Sequence, residues 1–508
     1  MVETDKLIEK RIFRNVVTNF LVQIVLAVSA LIIPRYILAV YGSEMNGLVA
    51  SISQFITYAA LVEMGIGDAT VIALYRPIAK DDRKNIELII SGAGRLYRRS
   101  GYVYMSILLL IAVLYPLLIG QQFEYWFIFE LVLCIGLVNA IDYFIWGKYK
   151  PLLIADQKYY VLNIARTLAT IILTIGSIIL LYRKSSVISL KCFAVVTHLG
   201  EALSVCFYVR KKYGTAECSV KDAINIEHRW NALIHQICAT IVYNTDLVVL
   251  TIFLPKHTLS EISVYTVYNM VFMLLTNLIA SLVKGLNASF GDLAVKREDK
   301  KLVHLFETYE LFYFMVVFVM DISFAVLIVP FVACYTNGIY DARYVRYEIG
   351  ILMTICGLFA QIKDLSASVN LAMGKLKETQ KYAVLEAVSN IVISLLLVRK
   401  YGIVGVLVGT LLSHLLMTIG LMRYTAKELV IGTGMQTIKR LIRNLAVSII
   451  LVMLELFLIS NKGEWYVWIW QGCVTVIINT FVITGINYWA EPAMICGVIK
   501  SVRSKWTK

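Results

Sequence analysis

Long apolar segments recur along the whole chain, and they constrain its fold more than any other feature. Many of them reach about twenty residues, the length at which a helix crosses a hydrocarbon core about 30 Å thick. Of the 508 residues, 59% are hydrophobic and only 16% are charged. A soluble globular domain carries a larger share of charged residues. The sequence therefore predicts an all-α polytopic membrane protein.

Fourteen apolar segments are long enough to serve as transmembrane helices. Two connections, near residues 40–46 and 182–186, are so short that the helices they join must form antiparallel hairpins. Gly405 and Gly409 have a small-xxx-small spacing that lets helices approach closely. The predicted spans are 15–40, 45–73, 101–120, 124–146, 159–182, 186–208, 231–254, 262–288, 305–332, 344–371, 382–398, 402–422, 440–460 and 465–488.

The basic residues orient these spans. An even number of spans places both termini on one side, and the termini and loops of that side carry 35 Lys and Arg residues, against ten on the other side. Because basic loops stay in the cytoplasm, we expect both termini to be cytoplasmic. The net charge of +14 is spread over these short loops, so it does not indicate a nucleic-acid-binding face. The charged start of the chain also lacks the apolar core of a signal peptide.

Three sequence echoes in the same order indicate an internal duplication, although chance similarity between apolar helices is the alternative. The pairs are 79–84 with 296–301, 157–162 with 380–385, and 197–199 with 413–415, at offsets between 216 and 223 residues. Together these echoes predict that the chain contains a duplicated half.

Apart from the basic residues counted with the loops, three lie inside predicted spans, namely Arg166, Lys284 and Lys363, and Arg35 lies near the end of one. A basic side chain at the bilayer centre costs about 2.5–3.5 kcal/mol on insertion scales, so such residues normally face a bundle interior or a wet cavity. Snorkelling to the interface or an internal ion pair is the alternative for each. Lys284, flanked by small residues, is the strongest candidate for a cavity cation.

Acidic residues are embedded as well. Asp246, with Asn244 beside it, and Glu63, near Asp68, are candidates for ion pairs with the cations or for a proton-coupling relay. A structural hydrogen-bonded role is the alternative for any single acid. The other embedded acids are Glu130, Asp142, Glu201, Asp321, Glu348 and Glu386, and we add Asp321 to the coupling candidates.

Signatures of soluble catalysis are missing from the sequence. It contains no GxxxxGK[ST] phosphate loop and no HExxH zinc motif, and its six histidines stand apart from one another. Its nine cysteines are scattered without a CxxC pair. We therefore expect no enzyme, no metal site and no nucleotide cofactor. A membrane-bound glycan polymerase or ligase would need a sizeable external loop, and the sequence offers none.

Several stretches resemble the polysaccharide flippases, which are Wzx-type exporters of lipid-linked oligosaccharides. They belong to the superfamily that also holds the multidrug MATE exporters and the lipid II flippase. The resemblance runs over essentially the whole chain as many weak positions. It is carried by PRYILAVYGSEMNGLVASISQFITYAALVEMGIGDA at 34–69, VYNTDLVVL at 242–250, VYTVYNMVF at 264–272 and MGKLKETQKYAVLEAVSNIVISLLLVRKYGIVGVLVGT at 373–410.

This resemblance implies a MATE-like fold of two six-helix lobes related by a pseudo-twofold axis, at 1–215 and 216–430. Helices 13 and 14 and a cytoplasmic tail would then occupy 431–508. The lobes would enclose a cationic central cavity that opens alternately to the two sides of the bacterial cytoplasmic membrane. The substrate would be an undecaprenyl-pyrophosphate-linked oligosaccharide, moved from the inner to the outer face and driven by an ion gradient or the membrane potential. By position, Arg35 and Lys284 match the family's cavity cations, with Arg14 at the inner mouth. Arg166 and Lys363 match less well and are carried as cavity candidates.

The resemblance also implies partners, namely a polysaccharide polymerase and glycosyltransferases. The alternatives within the superfamily are a multidrug or cation exporter, which would have an acidic cavity, and a lipid II flippase. A non-transporting membrane protein of glycan assembly is the alternative from another class.

Overall fold

A computed structural model describes residues 2–214, 229–254, 258–284, 290, 293, 299–458 and 463–498. Within these ranges every regular element is a helix. The chain divides into two compact units, Met1–Leu233 and Ile234–Lys508. The all-α membrane fold predicted from the sequence is confirmed, whereas the boundaries proposed for the lobes and the tail remain predictions.

Unit 1 begins with one long helix and continues through shorter ones. A 3-10 turn at Ala60–Glu63 follows α1, and a π-helical turn at Asp142–Trp146 follows α4. The helices are α1 (Val2–Ala59), α2 (Ile66–Ala79), α3 (Arg83–Ile119), α4 (Tyr125–Ile141), α5 (Lys150–Ala155), α6 (Tyr159–Tyr182) and α7 (Val187–Tyr213).

Unit 2 contains the second set of long helices and the last two spans. Its helices are α8 (Arg229–Phe253), α9 (Thr258–Lys284), α10 (Asp299–Tyr335), α11 (Tyr347–Ala372), α12 (Leu376–Glu428), α13 (Gly434–Leu458) and α14 (Trp465–Ala490). The apolar core of this unit is richest around α10, where Phe314, Val317 and Phe318 are fully buried.

In the described part of the chain, twelve helical stretches are long and apolar enough to cross a membrane. The two longest each contain a break, at Gly42 (φ 83°) and at Gly402 (φ 55°), a backbone region that favours glycine. Each of these stretches therefore contributes two spans, which agrees with the fourteen predicted.

The break at Gly402 reverses the chain. On its two sides, Asn390 donates a hydrogen bond to Thr410 at 3.0 Å. A Cβ placed on Gly409 would come within 2.3 Å of the Ser394 hydroxyl. The halves of α12 are therefore an antiparallel hairpin packed at close range, as the small-xxx-small spacing of Gly405 and Gly409 allows.

The two units repeat one pattern of helix pairing. In unit 1, the first half of α1 runs alongside α6, and Asn15 accepts a hydrogen bond from the Tyr160 backbone, 145 residues away, at 2.8 Å. In unit 2, α8 pairs with the first half of α12, and His235 contacts the Leu376 carbonyl, 141 residues away, at 2.9 Å. In each unit, the first membrane span therefore pairs with the fifth, at nearly the same separation in sequence. This repeated pairing supports the duplication predicted from the sequence echoes.

The region predicted as a loop at 76–100 is mostly helical. α2 ends at Ala79, and α3 begins at Arg83, so the break is only three residues long. Asp82 caps α3 by accepting a hydrogen bond from the Asn85 backbone at 3.1 Å. The backbone and side-chain hydrogen bonds from Asn85 lower the pKa of Asp82. Hydropathy detects only the part of a helix that lies in lipid. The charged residues at the start of α3 were therefore predicted to form a loop.

Candidate functional site

Embedded charges in unit 1 gather around His198 on α7. One ring nitrogen, Nδ1, lies 3.1 Å from Glu201 Oε2. The other, Nε2, lies 3.0 Å from Asp142 Oδ1 in the π-helical turn. A neutral imidazole donates from one nitrogen only, so a protonated ring would satisfy both carboxylates. We refer to Asp142, Lys150, Arg166, His198 and Glu201 as the His198 cluster.

Two cations complete the His198 cluster. Arg166 on α6 lies 3.1 Å from Glu201, and Lys150 on α5 lies 3.0 Å from Asp142. The Lys150 ammonium also stands 4.1 Å from the centroid of the Trp146 ring. The Arg166 side chain remains 46% exposed, although its partner Glu201 is buried. Arg166 can therefore contact Glu201 and still offer guanidinium protons to a ligand.

Glu63 borders the His198 cluster from the 3-10 turn that follows α1. Its side chain is hydrogen-bonded to Tyr97 and lies within electrostatic reach of Lys150 and Asp142. The π-helical turn supplies the other side, because its wider spacing lets the Trp146 indole donate a 2.5 Å hydrogen bond to Asp142. π-turns of this kind are frequent at functional sites.

Unit 2 carries a smaller, sealed cluster around His414. His414 Nδ1 lies 2.7 Å from Glu386, and Lys363 forms an ion pair with the same carboxylate. The Lys363 ammonium lies 3.1 Å from His414 Nδ1 and 5.9 Å from the centroid of the Tyr243 ring. Lys363, Glu386 and His414, which we call the His414 cluster, are all less than 10% exposed. For Lys363, this pairing favours the internal ion pair over a cavity cation.

Asp246 lies beside the His414 cluster and is held by hydroxyl groups. Tyr265 donates to its Oδ2 at 2.8 Å, and Thr410 donates to its Oδ1 at 3.0 Å. A hollow of about 20 Å³ touches both Asp246 and His414, enough for a single water molecule. Asn244 instead donates to the Thr240 carbonyl at 2.9 Å.

Asp321 on α10 is buried next to Gln361, whose amide donates to Oδ1 at 3.4 Å. Among the described residues, the second carboxylate oxygen has no hydrogen-bond partner. A single weak donor compensates little for the burial of a carboxyl group.

The remaining predicted residues are Arg14, Arg35, Asp68 and Lys284. Arg14 is exposed and stacks over the Tyr160 ring at 4.2 Å from its centroid. Arg35 is half-buried, one residue after Pro34 in α1. Asp68 is exposed in the first turn of α2, where an acidic group suits the helix dipole. The Lys284 side chain lies outside the described residues.

Arg440 was counted among the cytoplasmic loop cations and is in fact fully buried in α13. It contacts Glu310 at 2.8 Å and Glu491 at 2.5 Å. Glu491 lies just beyond α14. Burial alone would raise its pKa, but the hydrogen bonds and the positive charge of Arg440 outweigh this effect and lower the pKa. This network fastens α13 and α14 to α10, and hydropathy could not show it because its members are far apart in sequence.

The two histidines were the other residues that sequence reasoning missed. Isolated in the sequence, His198 and His414 each join three helical segments in the structure. The signal was present in the echo between 197–199 and 413–415, which marked the same position in the two halves. Within the described ranges, no group of three or more His, Cys, Asp or Glu residues is suited to a metal ion.

Compared with known proteins, the chain matches no protein-family model and no curated protein sequence. Solved structures do match. The lipid II flippase MurJ, in an inward closed conformation, aligns with 94% of this chain and 99% of its own at a TM-score of 0.64 and 14% identity. An inward-facing multidrug resistance MATE family transporter of the MOP superfamily aligns with 80% of this chain and 94% of its own, at a TM-score of 0.55 and 13% identity.

A further match has a similar identity. A MOP superfamily transporter from Pyrococcus furiosus, described as having a binding pocket of reversed polarity, aligns with 82% of this chain and 96% of its own at a TM-score of 0.52 and 14% identity. Identities this low speak for the fold alone. The chain has the fold shared by MurJ and the MATE transporters of the MOP superfamily.

Proposed function

We propose that this chain is a flippase that turns over undecaprenyl-pyrophosphate-linked oligosaccharides from the inner to the outer face of the bacterial cytoplasmic membrane. The observation that carries the proposal is the match to a lipid II flippase over nearly the full length of both chains. The polysaccharide substrate is favoured by the stretches at 34–69 and 373–410 that resemble Wzx-type flippases.

The last two helices favour a lipid-linked substrate over a drug. α13 and α14 make up about a tenth of the chain, so a match that leaves out only 6% must include part of them. The MATE match leaves out 20% of this chain. Because the Arg440 network fastens α13 and α14 to α10, these helices belong to the folded transporter.

The embedded cations suit a pyrophosphate. A bare pyrophosphate cannot enter hydrocarbon, because burying an unpaired charge is prohibitive. Arg166 is an embedded cation whose side chain is 46% exposed, and its guanidinium can make paired hydrogen bonds to phosphate oxygens. Lys284 and Arg35 are proposed to share this task, with Arg14 at the inner mouth. In a drug exporter we would expect acids alone to line the path.

Transport against a gradient needs coupling to an ion gradient or to the membrane potential. We propose Asp246 as the proton carrier, because it is buried, ringed by hydroxyl donors and adjacent to a water-sized hollow. Glu63, with Asp68 nearby, and Asp321 are the other candidates. Glycosyltransferases would supply the lipid-linked oligosaccharide, and a polysaccharide polymerase would consume it.

Lipid II flipping is the second candidate function, favoured by the MurJ match. A deletion strain separates the candidates. We expect a pyrophosphate-linked oligosaccharide to accumulate among extracted polyprenyl lipids while surface polysaccharide disappears. Accumulation of lipid II would instead identify the second candidate. Accumulation of cationic dyes with normal surface glycan would contradict both and point to a multidrug exporter.

Complementation of that strain tests the strongest cavity cation. Lys284→Ala should abolish surface polysaccharide while the protein stays in the membrane, because the pyrophosphate loses its charge partner. Lys300→Ala is the matched control, since this exposed lysine lies at the start of α10. Normal surface polysaccharide in the Lys284→Ala strain would remove Lys284 from the site.

A further inference from the structure

A second cavity opens at the end of unit 1 that the basic loops assign to the cytoplasm. It lies where the break between α2 and α3, the segment around α5 and the end of α7 meet, and its volume is about 750 Å³. That volume falls within the range of about 300–1,000 Å³ typical of ligand pockets. None of the predicted transport residues lines it.

Charged side chains dominate the lining of this cavity, and positive ones prevail. Five basic residues face three acidic ones, which leaves two excess positive charges. The basic residues are Arg83, Lys148, Lys158, Arg210 and Lys212, and the acidic ones are Asp81, Glu87 and Asp156. Such a concave basic surface concentrates anions.

Lys158 forms the buried part of the wall. Only 5% exposed, it is paired with Asp156, and its ammonium donates to the Tyr213 hydroxyl at 2.8 Å. The Lys212 ammonium lies close enough to Lys158 to interact with it directly. Burial and this second cation lower the pKa of Lys158 to about 8. Two ammonium groups held side by side, with a single carboxylate at hand, gain stability when a further anion arrives.

The rest of the wall is held in place. The Lys148 side chain lies over Gly94, where a Cβ would come within 2.9 Å of it. At the turns before α3 and before α6, Asp81 and Gln157 adopt positive φ angles of 49° and 54°. Non-glycine residues rarely adopt this conformation. Lys148 is therefore packed against α3, beside two turns of unusual backbone conformation.

We propose that this cavity is a binding site for a phosphate-bearing anion, recognised by Lys158, Lys212, Arg210 and Lys148. The same chemistry could come from the headgroup of an anionic phospholipid or from a soluble phosphate compound. This site is separate from the one proposed for the transported lipid, so its occupancy does not depend on transport.

The test uses the full chain in nanodiscs of phosphatidylcholine, with inorganic pyrophosphate as the probe and calorimetry as the measurement. We expect saturable binding that Arg210→Gln weakens by about tenfold, because one charge-assisted contact is lost. Arg183→Gln is the matched control, since this exposed arginine lies at the opposite end of α6. Arg210 is exposed, so its replacement leaves the fold intact.

A second set of nanodiscs, containing phosphatidylglycerol, distinguishes the two sources. If a lipid headgroup fills the cavity, phosphatidylglycerol raises the Tm of the wild type more than that of Arg210→Gln and competes with pyrophosphate. If a soluble phosphate compound is the ligand, pyrophosphate binds equally in both lipids. The proposal is overturned if neither probe binds, or if Arg210→Gln and Arg183→Gln weaken pyrophosphate binding to the same extent.

Discussion

The His198 cluster and the His414 cluster occupy the same position in two similar units and differ in charge and exposure. In unit 1 the acid Asp142, in the π-helical turn after α4, contacts the histidine. In unit 2 the cation Lys363, on α11, contacts it instead. In unit 1 Arg166 stays half exposed, while every member of the His414 cluster is buried. Each unit thus keeps a polar cluster that joins three helical segments, and of the two clusters the His198 cluster is the one with a half-exposed cation.

This difference separates two roles that look alike in the sequence. A buried ion pair contributes little net stability when intact, yet removing one partner strands the other. A half-exposed pair is screened by water and can change partners. We therefore propose that the His414 cluster stabilises unit 2 and that Arg166 of the His198 cluster serves the proposed transport.

The largest effect on stability is expected from Lys363→Met. It leaves Glu386 buried beside His414 without its cation and should lower the free energy of unfolding by about 3–5 kcal/mol. Thermal unfolding of the purified protein measures this, with Lys375→Met as the control, because Lys375 is 42% exposed next to Glu378. Equal Tm values for the two variants would contradict the interpretation that Lys363 and Glu386 form a buried ion pair.

An exchange of charges sharpens the same point. The double variant Lys363→Glu with Glu386→Lys restores an ion pair and should recover part of the stability that each single change removes. A coupling energy of about 0.5–3 kcal/mol is expected from the double-mutant cycle. Strictly additive losses would show that the two side chains do not act as a pair.

The smallest effect on stability, with a large effect on transport, is expected from Arg166→Gln. Because Arg166 is half exposed and His198 still contacts Glu201, the free energy of unfolding should fall by at most about 1 kcal/mol. Surface polysaccharide should nevertheless fall strongly. A Tm as low as that of Lys363→Met would erase the distinction between the clusters.

Hydropathy predicted the helices and the hairpins near 40–46 and 182–186, because the lengths of an apolar segment and of the connection after it are local properties. It also found that basic and acidic groups share the membrane interior. It could not say that Arg166 meets Glu201 or that Lys363 meets Glu386, since each pair joins different helices.

Arg440 and the histidines show why the rest escaped. In the sequence, Arg440 resembles a loop cation because it stands near Lys439 and Arg443. Its burial depends on partners far away in the sequence, such as Glu310, 130 residues distant. His198 and His414 looked isolated for the same reason. A sequence pattern reports which face of a helix is apolar, but the partners of a polar residue are set by packing between distant segments.

The central claim is tested most directly in proteoliposomes that contain the purified protein and a fluorescent undecaprenyl-pyrophosphate oligosaccharide in both leaflets. A glycosidase added outside reports how much of the lipid reaches the outer leaflet. We predict that the protein makes the whole pool accessible and that Arg166→Gln slows this. If only the initial outer pool is ever cleaved, with or without an ion gradient, the chain does not flip this lipid.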